Sequence, residues 1–301
     1  MRQRRIGSTD LVASEVGLAV GPLVAGPGAR SDEDVAGLLG AALDLGVGYF
    51  AATDTDGDGR AERLLGGALR RHRDEVTVAT TFGYDTSPRP WEPTPETPPH
   101  DWSAEFAGRA LDRSLGRLRL EPVDLWLLHH PGLDALDSDE LFEFLEAQVE
   151  KGKIRHYGVA LGPGPGWADE GAAALQERRV AAVETVYNVA EQDPGRDLAR
   201  LAAQTGAGLV VRDPLAPRLA PAARGRLSFL EQDRDQTLDQ ALVRFALADP
   251  AVATVLPPVA DRDALAELAG AADLPPLTAE DLDLLAELRE ARFGLAEGAD
   301  R

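Results

Sequence analysis

The residues best suited to chemistry sit in two short stretches. In Asp54-Thr55-Asp56-Gly57-Asp58-Gly59 three carboxylates alternate with turn formers directly after an apolar run. His129-His130 closes a second apolar run, Val123-Asp124-Leu125-Trp126-Leu127-Leu128. Imidazole titrates near neutrality and exchanges protons readily, so a histidine beside a carboxylate is a minimal acid–base pair. Adjacent residues of a strand point to opposite sides, so only one of the two histidines faces any given pocket. The Asp-rich stretch also matches the first half of a calcium loop, with acids at positions one, three and five and glycine at six. Its twelfth position is Leu65 rather than Glu and a strand precedes it, so the turn-forming reading is preferred. No ligand spacing points to a metal. With no cysteine, thiolate nucleophiles and thiolate metal sites are excluded.

The elements that must position these residues alternate along the chain. A hairpin over 4–14 precedes strands expected at 16–20, 47–52, 76–80, 123–128, 154–160, 181–186, 208–211 and 252–256. Helical patterns separate them, from the one opened by Ser31-Asp32-Glu33-Asp34, a capping residue with acids in the first turn, to the last over 278–292. The strand runs are continuously apolar, as in a parallel sheet covered on both faces. Eight strand–helix units in about 250 residues fit a (β/α)8 barrel, and no Gly-x-Gly-x-x-Gly turn follows the first strand. The expectation is an α/β protein, one (β/α)8 barrel domain over 1–301 with an N-terminal hairpin and a C-terminal helix. Residues 83–100, with six prolines and Trp91, form a long loop of the kind that serves as a functional lid.

Bulk composition narrows the function. The chain has 301 residues and net charge −20, from 51 acidic and 31 basic side chains, which argues against nucleic acid as a partner. Hydrophobic content of 44% with 27% charged residues is that of a soluble globular protein. No apolar run reaches the roughly 18 residues of a membrane span, and no signal peptide opens the chain. A cytoplasmic protein acting on a small molecule is expected, away from nucleic acid and membrane.

At the level of motifs the chain resembles the aldo-keto reductases. The resemblance rests on Arg4-Arg5-Ile6-Gly7, Asp124-Leu125-Trp126-Leu127-Leu128-His129, Gly152-Lys153-Ile154-Arg155-His156-Tyr157-Gly158-Val159 and Val186-Tyr187-Asn188, all in that family's order. It implies a barrel with NADPH extended at its C-terminal face and carbonyl reduction by a Tyr acid supported by Asp, Lys and His. Against that pattern the Asp position is Ala51, the Tyr position is Asp56 and the Lys position is Thr81; His129 alone matches. The cofactor side departs too. Ala160-Leu161 replaces a Ser-Asn pair, Glu184 a Gln, Arg212 a stacking ring, and Ala260 a basic residue in Leu256-Pro257-Pro258-Val259-Ala260-Asp261-Arg262.

So many departures in one site predict that hydride transfer is lost and that no cofactor is used. The expected function is a cofactor-independent lyase, cyclase, dehydratase or isomerase of bacterial secondary metabolism. His129 and Asp56 exchange protons, and Arg212 binds a carbonyl or carboxylate. Asp54, Thr81, Trp91, Glu184, Tyr187 and Asn188 complete the substrate site. The alternatives are a catalytically inactive binding protein on the same scaffold and an atypical NAD(P)H-dependent reductase, with NADPH as the cofactor.

Overall fold

In the computed structural model, residues 1–26, 28–87, 98–232 and 234–294 are described. Strands β1 (Gln3–Arg5) and β2 (Val12–Ser14) pair as an antiparallel hairpin. Eight further strands form one parallel sheet in sequential order: β3 (Leu18–Ala19), β4 (Tyr49–Ala51), β5 (Thr77–Phe82), β6 (Val123–His129), β7 (Ile154–Ala160), β8 (Ala182–Val186), β9 (Gly208–Arg212) and β10 (Val252–Leu256). The first and last strands meet where Gly17 N–H donates to the Val255 carbonyl and Val255 N–H to the Glu15 carbonyl, both at 2.9 Å. That contact nearly closes the sheet into a (β/α)8 barrel with helices around it.

Period-two alternation sorts each strand into two faces. Phe50, Val78, Phe82, Trp126, Leu128, Val183 and Val211 belong to the shell packed against the helices. Tyr49, Ala51, Ala79, Leu125, Leu127, Ala160, Ala182, Val210 and Ala253 fill the interior. The hairpin seals the lower end, since Ile6, Leu11 and Ala13 join that interior cluster. Gly7 (φ +55°) abuts the backbone at Gly206 and Ala207, where a side chain would collide.

Several helices open on the capping residues visible in the sequence. Ser31, Ser103, Asp261 and Thr278 each accept from the backbone N–H three residues on. Gly21–Val24 is a short helix with Pro22 in its first turn. No helix among the described residues is long and apolar enough to cross a membrane. The base of the long loop is pinned by Asp85 N–H to the Pro99 carbonyl and Asp101 N–H to the Gly83 carbonyl, each 2.8 Å. Its centre, Trp91 included, lies outside the described residues.

Candidate active site

The interior rows explain which side chains converge at the upper end of the barrel. Two residues beyond each interior residue comes the next inward one. Ala79 leads to Thr81, Leu127 to His129, Ala182 to Glu184 and Val210 to Arg212. These four, with Ala51, Ala79 and Leu127, line a cavity of about 520 Å3 at the C-terminal ends of the strands. Asp56 enters from the loop after β4, and Gly21 and Pro257–Val259 form parts of the rim.

Asp56 is fixed by a reciprocal turn. Thr53 N–H donates to Asp56 Oδ2 and Asp56 N–H donates to Thr53 Oγ1, both at 3.1 Å. The carboxyl then lies against Gly21, where any Cβ would overlap it. Arg60 ties this loop to its neighbour, donating to Asp32 Oδ1 at 2.6 Å and to the Val24 and Arg30 carbonyls. Burial drives the Asp56 carboxyl above the usual carboxylate range, with a smaller push from Glu62; the bonds to Thr53 oppose both.

His129 is half-buried beside Thr81, whose Oγ1 is 3.4 Å from its Nδ1. Burial, then the neighbouring charges of His130, Arg212 and His100, hold its pKa well below 6.5. The ring is neutral in neutral water. His130 turns away (φ 59°) and takes the Tyr84 hydroxyl at 2.8 Å on its Nδ1. Glu184 and Arg212 face each other across the barrel wall, Oε1 to Nε at 3.0 Å. Burial raises the Glu184 carboxyl most; Asp56 adds to the rise and Arg212 opposes it. Electrostatic coupling therefore runs His129, Arg212, Glu184, Asp56 around one cavity.

Three expected site residues fall outside this cavity. Asp54 turns outward from the barrel mouth toward Glu62, Arg117 and Arg113, and its Oδ1 is buried without a partner. Tyr187 packs its ring on Gly195 and stands 5.7 Å from the Phe245 ring. Asn188 is wholly buried and ties two loops together. Its Nδ2 donates to Glu191 Oε2 (2.8 Å) and the Asp213 carbonyl (2.9 Å), and its Oδ1 accepts from Ala190 and Glu191 N–H. The physical reason is shared: a residue past a strand end is no longer bound by the strand's alternation. Conversely, Gly21, Thr53 and Asp213 line the cavity without having been singled out, although Gly21-Pro22 after an apolar run was a usable signal. Among the described residues no group of three His, Asp or Glu could hold a metal ion.

Ala19, Ala51, Ala79, Leu127 and Leu256 present small or apolar faces, and the large side chains a Tyr–Lys–Asp set would insert are missing. One buried donor, Arg212 Nε, is left without an aligned hydrogen bond. The helix Arg262–Gly270 starts just past the rim residues, its N-terminus capped by Asp261, with Arg262 the adjacent cation.

Comparison with known proteins bears on what this cavity serves. The Aldo/keto reductase family profile matches residues 20–290. An uncharacterised oxidoreductase of Bacillus subtilis is 26% identical over 308 residues, covering 95% of each chain. An aldo-keto reductase of Schizosaccharomyces pombe, named for NADP(+), is 30% identical over 159 residues, 52% of this chain and 44% of that one. A holo-form structure of a Bacillus halodurans aldo-keto reductase superposes with a TM-score of 0.81 at 25% identity, covering 100% of both chains. These findings overturn two expectations. Relatives named as oxidoreductases, one for NADP(+), contradict a cofactor-independent lyase, cyclase, dehydratase or isomerase, and they contradict the absence of a cofactor. The departures at Ala51, Asp56 and Thr81 were read as loss of the reaction, yet His129 and the Asp56 carboxyl both line the cavity.

Proposed function

Because this chain belongs to the aldo/keto reductase family, we propose that it is an atypical NAD(P)H-dependent oxidoreductase of small carbonyl compounds whose acid is a buried carboxyl. The observation that carries the reading is Asp56, a cavity-lining carboxyl fixed by Thr53 and raised above the usual range by burial. A carboxyl raised in this way keeps its proton to higher pH than an exposed aspartate does, which favours it as the acid. Ala51, Ala79, Leu127 and Leu256 would hold the nicotinamide ring, with Pro257–Val259 along its path out. The bound dinucleotide supplies a hydride to the carbonyl carbon. His129, neutral because desolvation disfavours its charged form, donates an N–H to the carbonyl oxygen and orients it. Asp56 delivers the proton that turns the resulting alkoxide into an alcohol, and water restores the carboxyl.

The test is reduction of glyceraldehyde and benzaldehyde with NADH or NADPH, followed by the absorbance of the reduced nicotinamide. Turnover is expected from the unaltered protein, with His129→Ala and Asp56→Asn each slower by about 10²–10⁴-fold. Oxidation of neither cofactor by the unaltered protein would overturn the reading. Full activity in Asp56→Asn would remove Asp56 from its role.

A further inference from the structure

Hydride addition places a negative charge on an oxygen in a cavity that already holds two carboxyls, Asp56 and Glu184, with Asp213 at its edge. The β4 and β5 walls offer only Ala51, Ala79 and Thr81. Arg212 is the one arginine or lysine among the described lining residues. Resting on the reductase reading above, we propose that Arg212 is the cation that stabilises the developing alkoxide, and that Glu184 is the positioning residue that aims it.

The geometry of the guanidinium supports this. Arg212 ends β9 facing inward, one strand away from Glu184 of β8. Its Nη2 donates to the Leu161 and Gly162 carbonyls, just past β7. Its Nε lies 3.0 Å from Glu184 Oε1 but off the N–H axis, so the contact is an ion pair and leaves Nε without an aligned acceptor. Nη1 makes no hydrogen bond to a described residue. One arm of the fork is therefore clamped while the other remains available in a side chain that lines the cavity. A planar cation fixed by backbone carbonyls and aimed by a carboxylate is preorganised for an oxyanion. Its positive charge already reaches His129, whose protonation it disfavours. A purely structural arginine would gain nothing from leaving its buried Nε without an aligned acceptor.

Glu184 also faces Asp56. The charged and titratable neighbours of this pair are Arg212 and Tyr49 around Glu184, and Glu62 from the helix Arg60–Leu69 around Asp56.

The experiment uses the full chain with saturating cofactor and glyceraldehyde, comparing Arg212→Met, Arg212→Lys and Glu184→Gln. Cofactor binding by nicotinamide fluorescence and the melting temperature are measured alongside. Arg212→Met is expected to lose about 10²–10³ in kcat, the usual loss of one oxyanion donor, with cofactor binding little changed. Arg212→Lys should regain at least about tenfold of that, since a point charge survives without the fork. Glu184→Gln should lower kcat about tenfold with cofactor binding and melting temperature little changed, because Arg212 loses the carboxylate that aims it. If Arg212→Met does not fold, the other two variants carry the test. The proposal is overturned if Arg212→Met keeps kcat within about threefold of the unaltered protein. It is also overturned if Lys does no better than Met, or if Glu184→Gln keeps kcat within about threefold of the unaltered protein. An unaltered protein that transfers no hydride from either cofactor sinks the reductase reading itself, whereas an active one indifferent to Arg212 sinks this inference alone.

Discussion

Asp54 sits two residues from the proposed acid and faces the other way, and its environment makes a quantitative forecast. Its Oδ1 is buried without a partner, and the fully buried Glu62 stands nearby, held by Thr80 and Arg117. Burial first, then Glu62, lifts the Asp54 carboxyl from 3.8 to about 7; Arg117 and Arg113 oppose the rise. The folded chain thus holds a proton that the unfolded chain releases near pH 4. Stability falls as pH rises from about 4 to about 7 and stays low above that. A rise of roughly 3 pKa units corresponds to about 4 kcal/mol once the carboxyl is fully ionised, of which about 3 kcal/mol is lost between pH 5 and pH 8. Asp54→Asn cannot ionise and removes that slope. Urea unfolding of both proteins at pH 5 and pH 8 measures it. The stability of Asp54→Asn relative to the unaltered protein should increase by about 3 kcal/mol from the lower to the higher pH. Equal differences at both pH values, or a variant that fares worse at pH 8, would refute the reasoning and make Asp54 an ordinary carboxylate held by Arg117.

Three further outcomes follow from particular contacts. Gly66→Ala places a methyl on the Leu118 carbonyl, backbone against backbone, and should cost about 1–3 kcal/mol in urea unfolding. Asn188→Ala removes four buried hydrogen bonds and should destabilise by about 2–4 kcal/mol while leaving cofactor binding unchanged, as fluorescence titration would report. The kcat for carbonyl reduction should fall as pH rises through the raised Asp56 pKa, since the acid form is the active one, and Asp56→Asn should abolish that limb in a stopped-flow pH series.

The barrel was legible because its signals are local and repeated. Apolar runs, capping residues such as Ser31 and Thr278, and glycines closing helices each constrain one element, and eight of them in succession leave few arrangements. The convergence of Thr81, His129, Glu184 and Arg212 was legible for the same reason, since strand alternation propagates inward orientation to the strand ends. Past those ends it fails. Asp54 turns outward while Asp56 two residues later turns inward, because the Thr53–Asp56 turn, not a strand, sets their directions. Tyr187 and Asn188 look like site residues in the sequence, yet each is consumed by packing or by loop-to-loop hydrogen bonds. Function was the hardest to read. The sequence records that an acid phenol and an ammonium are missing, but only burial shows that the Asp56 carboxyl is raised, and only the cavity shows that Arg212 and Thr81 line one space.

The central claim is that the cavity still takes a reduced nicotinamide dinucleotide. Titration of the full chain with NADH and with NADPH, following nicotinamide fluorescence, tests it without assuming a substrate. Saturable binding of at least one of them, reversed by its oxidised form, is the predicted result. Binding of both weaker than about 1 mM would contradict the account.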